Sequence, residues 1–178
     1  MRLPCMQNNL VHFFVVISVC IYYIQNMPQS IAQIYVHIIF STKERYPFID
    51  GPIENELYAY IGKIIFNLNG IPFIINGTAD HIHILMCMPR TESLSKCLEQ
   101  IKKNSSKWIK TKAEGGILTK FQWQRGYGAF SVSSSQKQKT IEYIKSQKQH
   151  HTRVTFKQEY LSFLKRYNVD FDPEYVWD

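Results

Sequence analysis

Asp80-His81-Ile82-His83 places two imidazoles one residue apart in a β-branched, apolar run. In an extended strand successive side chains point to opposite faces, so His81 and His83 share one face, with Cα atoms about 6.5–7 Å apart. Ring nitrogens at that separation can converge on one divalent cation. Ile82, Ile84 and Met86 then point the other way, into a core. The same pattern also suits a strand carrying two partly buried histidines and no ion. Two ligands alone fall short of the four to six that such ions take.

A second group lies between Ile141 and His151. On a helix Tyr143 and Gln147 are four apart and stack on one face. His150, three further on, joins that face. A tyrosine hydroxyl one turn from a metal ligand can act as a nucleophile, but its ordinary pKa near 10 means that it needs activation. A metal on a phosphate would improve the electrophile and orient the attack. The plain alternative is a helix with one core tyrosine and a polar flank. Asp80 could orient a histidine as a carboxylate behind the ligand, or simply shape the turn.

Elements must hold these groups. Residues 33–42 are β-branched and aromatic and predict a buried strand. Pro52 suits the first turn of a helix over 53–68, which Asn69-Gly70 ends. Strands follow over 71–76 and 81–88, joined by the turn at 77–80. A helix over 93–112 has Leu94, Leu98, Ile101, Ser105 and Trp108 as its buried stripe. Residues 121–133 read as a strand whose glycines mark a bulge or a close backbone approach. Helices over 135–149 and 155–166 precede an acidic, aromatic tail. The order β-α-β-β-α-β-α predicts an α+β fold of the ferredoxin-like split-βαβ type: an antiparallel sheet with helices packed on it.

These spaced groups resemble a known family. His-hydrophobic-His on a central strand, followed by Tyr-x-x-x-Gln on a later helix, is similar to the HUH single-tyrosine transposases of the insertion-sequence-200/605 type. The resemblance extends to the opening from Ser30 to Lys43, the strand from Ala79 to His83, Ser105-Ser-Lys-Trp-Ile109, Gly126-Tyr-Gly-Ala-Phe-Ser-Val132, the helix with Tyr143, Gln147, His150 and His151, and the terminal Tyr175-Val-Trp-Asp178. It implies that His81 and His83 bind magnesium or manganese and that Gln147 completes the protein ligands. Tyr143 would attack a single-stranded DNA phosphodiester, leaving a 5′-phosphotyrosine link and a free 3′-OH. It also implies recognition of imperfect DNA hairpins, and a homodimer in which one subunit's tyrosine helix completes the other's metal site.

The rest of the chain agrees with that chemistry. A phosphotyrosine conserves the energy of the broken bond, so no nucleotide cofactor is expected, and no phosphate-binding Gly-rich lysine loop is present. Two histidines and an amide would add no negative charge, leaving the cation strongly Lewis-acidic. The formal charge is +7, from 21 Lys+Arg against 14 Asp+Glu, which favours a polyanionic partner. Lys96, Lys102, Lys103, Lys107, Lys110 and Arg125 offer a backbone-binding surface, or a solvated helix face. Tyr127 could stack on a base or pack the sheet. At most one of His150 and His151 is expected to contact phosphate or tune the metal.

Cys5, Cys20, Cys87 and Cys97 form no Cys-x-x-Cys pair, so a cysteine zinc site is not expected, and a reduced cytoplasmic compartment fits. Residues 1–26 hold Arg2 as their only charge, and an apolar run of 15 residues over 10–24, short of a membrane span. They read as an over-extended start ahead of Met27-Pro-Gln-Ser30, or else as a signal or anchor segment or an extra helix, with the transposase-like domain over 27–178. Rival functions are a domesticated relative acting on repeated extragenic hairpins, a non-catalytic nucleic-acid-binding module, and a metal hydrolase or two-histidine phosphodiesterase. The phosphodiesterase would need a second His-x-Ser/Thr motif, which the chain lacks.

Overall fold

Four strands carry the site: β1 (Tyr35–Ser41), β2 (Ile71–Gly77), β3 (His81–Cys87) and β4 (Gly128–Val132). The structure is a computed structural model and describes residues 31–172. The expectations for residues 1–26, and for the last six residues of the acidic tail, lie outside the described residues. The sheet order is β2-β3-β1-β4 and every neighbouring pair is antiparallel. β1 and β2 run parallel with β3 between them, which is the expected split-βαβ arrangement. Every residue of the central strands β1 and β3 is buried. Strands covered on both faces read as near-continuous apolar runs.

Alternation divides the sheet into two faces. Val36, Ile38 and Phe40 of β1 join Ile82, Ile84 and Met86 of β3 in the larger core. Two helices cover it: α1 (Gly51–Asn67), through Leu57, Ile61, Ile64 and Ile65, and α2 (Leu94–Thr111), through Leu98, Ile101 and Ile109. Burying each such side chain contributes about 1.5–3 kcal/mol. Asn69, at φ 62, turns the chain out of α1, and the Gly70 amide closes on the Ile65 carbonyl at 3.0 Å. Ser93 starts α2 by accepting the Lys96 amide at 3.2 Å.

The opposite face takes Tyr35, His37 and Ile39 of β1, together with His81, His83 and Leu85 of β3. Its cover is α3 (Lys137–Lys145), α4 (Gln147–His150) and α5 (Phe156–Arg166). Ile144 packs on Leu85 and Cys87, while Phe156, Tyr160, Phe163 and Leu164 pack around Ile39 and Phe130. A capping box between Thr155 and Gln158 starts α5.

Three sequence expectations need correction. The strand over 121–133 shortens to Gly128–Val132. Trp123 makes only an isolated bridge to Thr42, because its ring turns into the larger core, where its indole donates to Ser105 Oγ at 2.9 Å. The chain then swings out through Gln124–Tyr127 before β4. The glycine that meets a close approach is Gly128, where a Cβ would lie 2.8 Å from Tyr160 Cε2. The helix over 135–149 is broken at Ser146 and is preceded by a 3-10 turn over Ser134–Gln136. At the break, Asn76 of β2 donates to the carbonyls of Ile144 (2.8 Å) and Lys145 (3.1 Å). The buried stripe of α2 includes Cys97 and Ile109, whereas Leu94 and Trp108 are half-buried; Trp108 stacks on Tyr60 with ring centroids 4.9 Å apart.

Candidate active site

His81 and His83 reach the helix-covered face from β3, as the alternation predicts, and both are fully buried there. The turn before them is tight: a Cβ on Gly77 would come within 2.1 Å of the His81 carbonyl. Asp80 does both jobs considered for it. Its Oδ1 accepts from His81 Nδ1 (2.7 Å) and from Thr78 Oγ1 (2.8 Å), while Arg45 pairs with Oδ2. Burial opposes ionisation of Asp80, but the bonds from His81 and Thr78 and the Arg45 charge outweigh it and hold the carboxyl well below its usual range. Burial lowers His81 to about 4, against the opposing pull of Asp80. It lowers His83 as well, against the pull of Glu159. Both imidazoles are therefore neutral and able to ligate.

Hydrogen bonds fix which nitrogen is offered. A carboxylate only accepts, so His81 Nδ1 carries the proton and Nε2 holds the lone pair. His151 Nδ1 likewise donates to the Val154 carbonyl at 2.8 Å, and its Nε2 lies 2.9 Å from His81 Nε2. His83 Nδ1 is 2.9 Å from Nε2 of the buried His37, leaving His83 Nε2 turned into the cluster. A second hydrogen-bonded group behind each ligand is how metal-binding histidines are oriented.

Glu159 of α5 closes the group. Its Oε2 lies 3.3 Å from His83 Nε2 and 3.2 Å from His151 Nε2. Its Oε1 accepts from the Tyr143 hydroxyl and from Gln147 Nε2, the latter at 2.9 Å. His81, His83, His151 and Glu159 each bring one donor atom into a space where all four lie within 4.8 Å of one another. Burial would raise the Glu159 pKa, but the close approach of His151 and His83 and the bond from Tyr143 outweigh it and hold the carboxyl well below its usual range. Burial, with the Glu159 charge, holds the Tyr143 hydroxyl well above its ordinary range. Burial would lower His151, but the bond and charge of Glu159 raise it.

Four buried atoms here have no hydrogen-bond partner: His83 Nε2, Gln147 Oε1, His150 Nε2 and Glu159 Oε2. Leaving such atoms unpaired costs about 1–3 kcal/mol each. The two oxygens are acceptors, as is a ring nitrogen that carries no proton, and a divalent cation would satisfy such acceptors together. The donor set of imidazole, carboxylate and amide suits a small hard or borderline ion. These residues therefore fit a metal.

The sequence-derived site residues divide by the two faces. His81, His83, Tyr143 and Gln147 come together, and the half-buried His150 approaches with Nε2 3.6 Å from Glu159 Oε1. Lys96, Lys103, Lys107 and Lys110 are exposed on α2, across the sheet from the histidines. Lys102 faces inward and donates to the carbonyls of Gln124 (3.1 Å), Arg125 (3.2 Å) and Gly126 (2.7 Å), with burial lowering it to about 8. It anchors the loop that displays Arg125 and Tyr127.

Sequence reasoning missed Glu159 and His37. The signal for Glu159 was present: Phe156, Tyr160, Phe163 and Leu164 define the buried stripe of α5, and residue 159 falls inside it. An acidic residue on an apolar stripe marks a buried charge with partners. It also brings a negative charge to a ligand set that had read as neutral.

Beside Tyr143 a pocket of about 760 Å³ opens between β4, α3 and α5. Among the described residues, no helix is long and apolar enough to cross a membrane.

Comparisons with known proteins place the chain. The family model described as "Transposase IS200 like" matches residues 30–147. The fold is similar to that of a solved protein assigned as a transposase from Deinococcus radiodurans R1, with TM-score 0.53 and 16% identity over 68% of this chain and 96% of that one. It is also similar to a REP-associated tyrosine transposase solved bound to a REP hairpin, with TM-score 0.53 and 13% identity over 72% of this chain and 75% of that one. Among curated proteins none matches.

Proposed function

This chain belongs to the IS200-like transposase family, and from that membership we propose that it cuts and rejoins single-stranded DNA through a covalent 5′-phosphotyrosine on Tyr143. The observation that carries the reading is the buried carboxylate of Glu159. One of its oxygens faces the histidine cluster while the other accepts from the Tyr143 hydroxyl.

His81 and His83 would hold the cation, with Gln147 Oε1 and Glu159 Oε2, both without a hydrogen-bond partner, as further donors. Asp80 and His37 orient the two rings. A bound magnesium or manganese ion would act as a Lewis acid on the scissile phosphate. Tyr143 Oη forms the new bond to phosphorus, and its proton goes to Glu159 Oε1. The P–O3′ bond breaks and the 3′ oxygen leaves as a hydroxyl after taking up a proton from water. Attack of a 3′-OH on the phosphotyrosine reverses these steps and rejoins a strand, so no nucleotide is consumed.

The solved protein of this fold with a bound REP hairpin supports a hairpin as the recognised DNA. Lys96, Lys103, Lys107, Lys110 and Arg125 would neutralise phosphates of the duplex arm, with His150 near the cut strand. Lys102 would serve by holding the loop of Arg125. A homodimer sharing its tyrosine helices in the cytoplasm belongs to the same reading.

The test mixes the full chain with labelled single-stranded DNA from the flanks of its gene and with magnesium or manganese, on a denaturing gel. A labelled band at protein mass that needs both metal and Tyr143 is expected. Cleavage that survives Tyr143→Phe would overturn the tyrosine mechanism in favour of a metal-activated water.

A further inference from the structure

The pocket beside Tyr143 has a built aromatic floor. Tyr143 lies 5.9 Å from Phe163 between ring centroids, and Phe163 stacks with Tyr167 at 6.5 Å and 22°. Tyr167 also packs on Phe130 at 4.8 Å, and its hydroxyl donates to the Ser131 carbonyl at 3.2 Å. Phe130 and Phe163 stack on each other at 5.1 Å and hold Tyr167 from their side, and the hydroxyl bond holds its tip, yet 38% of the residue remains exposed. Tyr167 lines the pocket together with Arg166, Lys139, Ser133 and Gln136. A volume of about 760 Å³ lies within the range of small-molecule sites, about 300–1,000 Å³.

The tyrosine chemistry limits what can lie there. A 5′-phosphotyrosine keeps one nucleoside on the phosphorus attached to Tyr143, so that nucleoside must sit beside the tyrosine. The pocket is the concavity there. It offers an aromatic plane for a base, cations for a neighbouring phosphate, and hydroxyl and amide groups for a base edge. Bases stack on aromatic side chains whatever their sequence. A ring already fixed before binding loses little freedom when it does so.

We propose that this pocket is the seat of the nucleotide whose 5′-phosphate becomes bonded to Tyr143, with Tyr167 as its base-stacking platform. The proposal rests on the tyrosine-nucleophile reading and deepens it. The minimal ligand is a deoxynucleoside 5′-monophosphate.

The probe is 2-aminopurine deoxyriboside 5′-monophosphate, whose fluorescence falls when its base stacks, titrated with the full chain. Saturable quenching is expected, weakened about tenfold or more by Tyr167→Ala and kept by Tyr167→Phe. Tyr167→Leu keeps the apolar bulk without the aromatic plane and serves where the alanine variant does not fold; it should lose the quenching too. Unlabelled deoxynucleoside monophosphates should compete far better than inorganic phosphate. Quenching that is absent, or indifferent to Tyr167→Ala and Tyr167→Leu, overturns the proposal, as does equal competition by inorganic phosphate. Tyr143→Phe should keep the quenching, since binding needs no covalent bond. The gel assay and this titration therefore fail separately.

Discussion

The two faces of β3 do opposite things with the same seven residues. Ile82, Ile84 and Met86 meet α1 and α2 in an apolar core, whereas His81 and His83 meet α3, α4 and α5 in a buried polar cluster. On the first face every contact favours the folded chain. On the second, neutral His81 and His83, an ionised Glu159 and four unpaired polar atoms are held together against their own desolvation. One face supplies stability and the other spends part of it on preorganised chemistry.

Substitutions on the two faces should therefore separate reactivity from stability. Tyr143→Phe should remove adduct formation by about 10⁴-fold or more, while thermal unfolding changes by the equivalent of about 1 kcal/mol or less. Ile84→Ala should do the reverse: a loss of about 2–5 kcal/mol in denaturant unfolding, with adduct still formed well below the melting temperature. A catalytic loss in Ile84→Ala at low temperature would break the comparison.

Metal addition sharpens it next. Because only the folded chain assembles the cluster, manganese at about 100 times its Kd should stabilise the protein by about 2.7 kcal/mol. Calorimetry should show the melting temperature rising in the parent and in Ile84→Ala alike, and failing to rise in His83→Ala. Acid should act on the histidine face alone. His81 is lowered by burial from 6.5 to about 4, so its neutral form favours the fold and that stability is lost as pH falls from about 6.5 to about 4. His83 shifts the same way, while His151, raised by Glu159, opposes them in part. The net fall should appear in urea midpoints taken across that window. Ile84→Ala should displace the whole curve without changing its shape.

The smallest effect concerns Lys102, behind the apolar face. A phosphate contact on single-stranded DNA contributes about 0.7 to the slope of log K against log salt. Lys102→Met should weaken DNA binding with that slope almost unchanged, because its three donors go to carbonyls; Arg125→Ala should lower the slope. Equal slope changes in the two variants would return Lys102 to the DNA-binding surface.

The apolar face was legible because alternation and helical spacing both report burial directly: the strands at 71–76 and 81–88 and the helices at 53–68 and 93–112 lie where their patterns put them, within about two residues. The histidine face was legible only in part. His81, His83, Tyr143 and Gln147 share local spacings that a strand or helix converts into one direction. Glu159 comes from a different helix, and its partners are set by how α5 lies across β3, which no spacing encodes. The break at Ser146 was hidden for a similar reason, since its freed carbonyls are satisfied by Asn76, about 70 residues earlier.

That contact has a consequence for precision. Asn76 stands directly opposite His83 in the β2–β3 ladder. One cross-strand pair therefore touches both halves of the proposed site: His83 points into the cluster with Glu159, while Asn76 grips the end of the helix that carries Tyr143. A slip of one residue in that ladder would put His83 and Asn76 on opposite faces of the sheet, so the two could no longer serve one site. On the proposed mechanism, the register that places the metal ligand is thus the same one that places the nucleophile's helix.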